Sequence, residues 1–530
     1  MKLILLACLL LVLGLGSCKK TEHFDIVIKG GSVLDGSGSP AVKTDIGIRE
    51  GKIVSIKNLS DAQATQTIDA TGLTVSPGFI DLHAHIEPIM SLPDAESNIR
   101  QGVTTAVGGP DGGGPWPFGS YLDSLDNHFK LGINVAYLTG HNVIRYQVMQ
   151  NAARKPTDAE LNAMKEMVKQ AMEEGAFGLS TGLKYMPGTF AKTSEVIELS
   201  NVAAGMKGFY TSHLREEGLG LLAGVREAIV IGKESGIPIV LTHHKAMGKP
   251  MWGKSIVTLG LVDSARSVGI DVMMDQYPYT ASSTGLSVLI PTWAMAGTRE
   301  EFIKRTKRKS TYDSIMAAIR FNLENDRGGG DIKMVQFSMV EWDTTLNGKT
   351  LYDYAVRKGV APNVDNGAKL VLELELKGSA SCIFHAMSEE DVERIMKHTY
   401  TMIASDGETV KFGVGHPHPR AYGTFPRVLG RYVREKKIIT LEDAIRKMTS
   451  LPASRMGLTD RGLLKEGYVA DITIFDADKV IDKGTFEKPH QYPEGIEYVI
   501  VNGVVTVEKG TMTKNRGGKV LRGPSYSTKP

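Results

Sequence analysis

From Ile26 to Asp69 apolar and polar positions alternate in short runs broken by Gly and Asp, as in DIVIKGGSVLDGSG and DIGIREGKIVSI. That period of two predicts short strands with one buried face. The same texture returns in YVADITIFDADKV and IEYVIVNGVVTVEKG near the other end. Two strand-rich ends around a different middle predict one small β-sandwich built from both, over 24–72 and 458–515. The middle, 73–457, alternates apolar runs with helical periodicity, the pattern of a parallel βα fold. Candidate strands end at His83, Val107, Tyr137, Leu179, His213, His243, Gln276 and Asp406. Eight such strands predict an α/β fold with a (β/α)8 TIM barrel. One helix is especially well signalled: Thr157 and Glu160 form a capping box, Leu161, Met164, Val168 and Ala171 make the apolar stripe, and Gly175 ends it. Between strands seven and eight, about 291–369 is too long for a simple connection and is expected to be an insert over the active face. The Gly-, Ser- and Lys-containing end, 516–530, is expected to be a flexible tail.

Composition narrows the function. Across 530 residues, 62 Lys and Arg stand against 59 Asp and Glu, with no long basic block. Nucleic acid is therefore not the expected partner. The N-terminus reads as an export signal over 1–17: Lys2, an apolar stretch from Leu3 to Leu13, and small residues before Cys18. Leu15-Gly16-Ser17-Cys18 resembles a bacterial lipobox, which implies an exported lipoprotein anchored to a membrane through Cys18; an ordinary secretory peptide is the alternative. Loss of Cys8 with the signal and acylation of Cys18 would leave Cys382 as a free thiol, so no disulfide framework is expected.

The chemistry gathers at predicted strand ends. In VSPGFIDLHAHIE, strand periodicity puts Asp81, His83 and His85 on one face. His213 in YTSHLREEG and His243 in IVLTHHKAMG each follow an apolar run and precede a polar loop, where barrel enzymes place functional groups. His243 and His244 point to opposite faces, and periodicity alone does not choose between them. Asp406, in TMIASDGE, ends the last strand, where a turn or helix cap is the competing role. Four imidazoles and a carboxylate suit zinc or another borderline divalent cation. Such a cation activates water and polarises a carbonyl, and a neighbouring carboxylate can move the proton to a leaving amine. That combination is amide hydrolysis.

Together, PGFIDLHAH, SHLREEG, THHK, DQYPYTASST, ASDG and HPHPRAYGTFPRVLG resemble the D-aminoacylase branch of the metal-dependent amidohydrolases, from about Asp25 to Gly510. The resemblance implies hydrolysis of N-acyl-D-amino acids to a D-amino acid and a carboxylate. It further implies that His213 and His243 hold a tight zinc, that His83 and His85 lie near a second, weaker position, and that Asp406 is the general acid/base. Lys245, Tyr277, Ser283 and Arg420 map onto the family's carboxylate-binding group. Asp111, in GVTTAVGGPDGGGP, stands where the family usually has Cys; it is either a metal ligand or part of a turn. Lys184, in STGLKYMPG, is either a displaced metal-bridging lysine, whose expected register is Ser180, or a substrate contact. Another amidase of the superfamily, acting on isoaspartyl dipeptides or cyclic amides, and a non-catalytic lipid-anchored binding protein are the competing functions.

Overall fold

The computed structural model of the chain describes residues 22–527. The export signal and Cys18 therefore lie outside the described residues. No helix among the described residues is long and apolar enough to cross a membrane.

The terminal segments share one nine-stranded sheet. Thr74–Pro77 from the first end pairs antiparallel with Ile472–Phe475 from the second, in the register Thr74↔Phe475 to Pro77↔Ile472. Alternate residues point inward, as the period of two requires: Ile26 and Ile28, Ile46 and Ile48, and Ile472 and Ile474 meet in one core. A bridge between Lys52 and Val469 brings the far edge of this sheet back toward the C-terminal strands.

The middle is an α/β arrangement of parallel strands. We label them β1 (Phe79–Asp81), β2 (Val103–Gly108), β3 (Asn134–Tyr137), β4 (Gly178–Gly182), β5 (Phe209–His213), β6 (Ile239–Leu241), β7 (Val272–Gln276) and β8 (Thr401–Ile403). β1, β2 and β3 pair in parallel order, and so do β4 to β8. Just past β3, Thr139–Gly140 pairs with β4, and just past β8, Gly407–Glu408 pairs with Ala84–His85 beyond β1. The helix signalled by Thr157 spans Asp158–Glu173 with both halves of the capping box formed, and it buries Met164, Val168 and Ala171.

Three expectations need correction. Regular pairing of β1 stops at Asp81, two residues before His83, because the Asp81 carboxylate accepts from the backbone N–H of Ser405 at 2.9 Å and its hydroxyl at 2.5 Å and the chain bends there. The insert is larger than 291–369. It includes a three-stranded antiparallel sheet of Ser282–Gly285, Val335–Met339 and Ser381–Phe384, and its own apolar core runs from Leu286 to Phe384. The end of the chain is not a flexible tail over 516–527. Gly518 N–H donates to Leu131 O at 2.8 Å, Leu521 N–H to Val135 O at 2.8 Å and Gly523 N–H to Gly175 O at 2.8 Å. A Cβ at Gly518 would lie 2.1 Å from Ile133 O, so this glycine serves close backbone approach, not mobility.

Candidate metal centre

The carboxyl ends of the parallel strands converge on a cavity of about 310 Å³ lined by His85, Asp111, His213, His243 and Asp406 among others. Two overlapping groups form there: His83, His85, Asp111 and Asp406, and Asp111, His213 and His243. His243 Nε2 lies 3.4 Å and His83 Nε2 3.5 Å from Asp111 Oδ1, and His213 Nδ1 lies 3.6 Å from Asp111 Oδ2. Asp406 Oδ1 lies 3.4 Å from His83 Nε2 and 3.2 Å from His85 Nε2. These separations are long for hydrogen bonds but match neighbouring corners of a tetrahedron with bonds of about 2.0–2.1 Å to its centre. Both ring nitrogens of His83 and of His213, Nε2 of His243 and Oδ1 of Asp111 are buried without a hydrogen-bond partner among the described residues. Buried polar atoms are normally satisfied, so this orphaned cluster fits a cation of the zinc class.

Local structure explains each position. Asp111 has φ 55° between Gly109 at 72° and Gly112 at 77°. The loop is tied down by Ser180, whose hydroxyl donates to Gly109 O at 2.6 Å and accepts from Gly112 N–H at 3.1 Å. GGPDGGGP is thus a turn, and the turn aims Asp111 into the cluster. Burial opposes the charge on Asp111, but the imidazoles of His83, His243 and His213 hold its carboxyl well below the usual range. Asp406 also sits at positive φ, 49°, fixed by its N–H donating to His83 O at 2.8 Å. Its Oδ2 accepts from Arg420 Nη1 at 2.7 Å; despite burial, Arg420 and His243 hold this carboxyl well below the usual range.

Of the histidine pair, His243 joins the cluster, whereas His244 points away and pairs with the Thr258 hydroxyl at 2.8 Å. Burial pushes the His244 imidazole down to about 3, so it is neutral. Lys245, Ser283 and Arg420 line the cavity. Tyr277 is buried behind it: the Arg420 guanidinium sits 4.7 Å and the Lys245 ammonium 5.8 Å from its ring centroid. Lys184 does not reach the cluster. It pairs with Glu216 at 3.0 Å and lines an adjoining groove with Tyr185 and Met186, a placement that does not support a bridging lysine.

Sequence reasoning missed Glu217 and Arg327. Glu217 is buried against the cavity in contact with the Lys245 ammonium, which lies 2.6 Å from His243 Nδ1, while Glu217 Oε1 is 3.0 Å from the same nitrogen, so the two together orient that ring. Its signal was its place four residues after His213. Arg327 enters from the insert and carried no motif.

The model of the Amidohydrolase family matches residues 66–233 and 377–507. The N-acyl-D-glutamate deacylase of Alcaligenes xylosoxydans xylosoxydans is 37% identical over 527 residues, spanning 94% of this chain and 97% of its own length. The D-aminoacylase of the same organism is 35% identical over 530 residues, spanning 94% and 98%. The crystal structure of the Bordetella bronchiseptica N-acyl-D-glutamate deacylase, complexed with zinc and a phosphonate mimic of the tetrahedral intermediate, superposes with a TM-score of 0.81 at 35% identity, over 94% of this chain and all of that one. A D-aminoacylase described as having a binuclear metal centre superposes with a TM-score of 0.80 at 34% identity over 94% of this chain. D-hydantoinase, at 15% identity and a TM-score of 0.56, shares the fold alone. With 35–37% identity to these deacylases over 94% of its length and a histidine and aspartate cluster able to hold a metal, the chain belongs to the amidohydrolase family, in its D-aminoacylase branch.

Proposed function

We propose that this protein is a metal-dependent hydrolase that cleaves the amide bond of N-acyl-D-amino acids, releasing a D-amino acid and a carboxylate. The observation that carries the reading is the orphaned cluster of His83, His213, His243 and Asp111 beside Asp406 on one cavity. His213, His243 and Asp111 would hold the tight zinc, and His83 and His85, with Asp111 and Asp406, a weaker second position. A bound cation of this class lowers the pKa of water to about 7 and polarises a carbonyl.

The chain's own residues do the rest. Asp406, kept ionised, takes the proton of the attacking water through Oδ1 and passes it to the departing nitrogen as the C–N bond breaks. Arg420 holds Oδ2 of Asp406 and so fixes the direction of Oδ1. Lys245, Ser283 and Arg420 supply polar donors for the substrate's free carboxylate, with Tyr277 as a platform behind the two cations.

The architectural part of the reading is that β1 to β8 close into a TIM barrel. The one-residue gap at Leu138 and the pairing of Gly407 with Ala84 support it. On this view, 24–72 and 458–515 form the β-sandwich domain, and 73–457 the catalytic domain with its insert. Export and acylation at Cys18 rest on the sequence of residues 1–18, and incorporation of labelled fatty acid into wild type but not Cys18→Ser tests them. Amine release from N-acetyl-D- and N-acetyl-L-amino acids by zinc-loaded protein tests the reaction. D-selective release is expected; no release from any of them, or release only from cyclic amides, would refute it.

A further inference from the structure

The insert delivers a cation to the cavity that none of the motifs above accounts for. Arg327 is 2% exposed and lines the cavity with Glu217, Lys245, Ser282 and Arg420. A guanidinium keeps its charge when buried and carries five N–H donors. Charge-assisted bonds to carboxylates ordinarily measure about 2.7–2.9 Å. Arg327 has none of that kind. Its Nη1 reaches the Ser282 hydroxyl at 3.5 Å, its Nε lies 3.4 Å from Asp326 Oδ2, and its Nη2 lies 3.7 Å from Glu217 Oε2. Nε has no hydrogen-bond partner among the described residues.

The other two cavity cations are engaged. Lys245 contacts Glu217 closely, and Arg420 donates to Asp406 at 2.7 Å. Arg327 is thus the cavity cation that lacks a close carboxylate partner among the described residues, and leaving its buried donors unmet is unfavourable. Its position is also built. Arg327 follows the helix Lys309–Asn325, and the corner at Asp326 sits against two glycines that flank the site's own loops. A Cβ at Gly218 would lie 2.2 Å from Asp326 Oδ1, and one at Gly248 would lie 2.7 Å from Asp326 O.

We propose that Arg327 receives a carboxylate of the substrate in the cavity, making the insert a reader of anionic groups and not only a cover. The assignment rests on the deacylase reading for the substrate's identity. Two carboxylates have this chemistry: the α-carboxylate common to all N-acyl amino acids, and the side-chain carboxylate of an acidic one.

The test compares zinc-loaded wild type, Arg327→Met and Arg327→Lys on N-acetyl-D-methionine, its α-carboxamide and N-acetyl-D-glutamate. Zinc content and thermal unfolding are measured alongside. Loss of a charge-assisted pair predicts a KM raised about 10- to 100-fold in Arg327→Met, with partial recovery in Arg327→Lys, which restores charge but not the fork. A rise for both acids but not the carboxamide assigns the α-carboxylate; a rise for N-acetyl-D-glutamate alone assigns the side-chain carboxylate. Unchanged KM for both acids, or an equal loss on the carboxamide, overturns the proposal. Should Arg327→Met not fold, Arg327→Lys carries the test, since it too loses the bidentate fork. Calorimetric binding of N-acetyl-D-glutamate in an Asp406→Asn background, with and without Arg327→Met or Arg327→Lys, reads the same contact with turnover suppressed. If wild type hydrolyses nothing, the proposed function falls, and equal affinities in this titration would then overturn the Arg327 assignment separately.

Discussion

The strand-end cluster and the insert face each other across one cavity, yet they are built by opposite rules. The cluster is made of short, rigidly placed groups: His213 ends a strand, and Asp111 and Asp406 occupy left-handed backbone conformations held by specific hydrogen bonds. The insert has its own apolar core and its own small sheet, and it reaches the cavity with Ser282, Ser283, Thr284 and Arg327. The difference separates two tasks. On the proposed function, reactivity falls to the strand ends and discrimination between substrates to the insert, which packs on its own core. Variants in the first region should reduce turnover or metal binding on every substrate. Variants in the second should change the ranking of substrates while metal content stays constant.

The largest effect is expected at Asp406. Asp406→Asn should retain zinc by elemental analysis yet lower kcat about 100- to 10,000-fold on every substrate, because a neutral amide cannot carry the proton. Near-normal turnover would remove Asp406 from proton transfer. Asp111→Ala should lose stoichiometric metal and activity together, since Asp111 belongs to both ligand groups. Asp111→Cys should recover zinc binding, a thiolate being a soft ligand for that cation. Full metal occupancy in Asp111→Ala would reduce GGPDGGGP to a turn alone.

Arg420 lies on the boundary between the two tasks. Because it touches Asp406 at 2.7 Å, Arg420→Ala should lower kcat on carboxamides as well as acids, while raising KM for the acids only. A loss confined to KM for the acids would mean that its contact with Asp406 is incidental. Ser180 acts one step further out, through the backbone of the Asp111 loop. Removing its hydroxyl in Ser180→Ala should weaken zinc affinity about 10- to 100-fold, the usual scale for groups that orient a ligand, with kcat preserved at saturating metal. Unchanged zinc affinity would show that the glycines alone fix the loop.

The same contrast explains what could be read from sequence. His83, His85, His213, His243 and Asp406 were legible because each follows an apolar run that predicts a strand, and each lies at or within a few residues beyond that strand's end. Asp111 was visible only as a departure from a family pattern, and its aim depends on Ser180, which is remote in sequence. Glu217 lies in a loop, where no periodicity sets side-chain direction; contact with Lys245 and His243 decides it. Arg327 comes from a connection whose strands are short and partly polar, such as Ser282–Gly285, so even the insert's limits read short. The chain end was misread for a related reason: glycine marks flexibility and close packing alike, and only neighbours such as Ile133 O distinguish them.

The smallest effect is expected at Lys184, whose placement most clearly separates the cavity from the groove beside it. Its ammonium pairs with Glu216 at 3.0 Å, and the Glu216 side chain is 44% exposed, so solvent screens the pair. Exposed pairs of this kind contribute about 0.2–1 kcal/mol. Lys184→Met should therefore keep full zinc content and unchanged kcat, with a thermal midpoint only slightly lowered. KM for small N-acetyl substrates should move less than about threefold, because an effect of that size corresponds to roughly 0.6 kcal/mol. Substrates with long apolar acyl groups provide the sharper comparison. The groove carries Val288, Ile290 and Trp293 from the insert, and replacing the ammonium with a thioether extends its apolar wall. A lower KM for long acyl groups with no change for acetyl would place the groove, and with it the insert, on the substrate's path. Loss of zinc in Lys184→Met would instead return this lysine to the metal and break the division between the two regions.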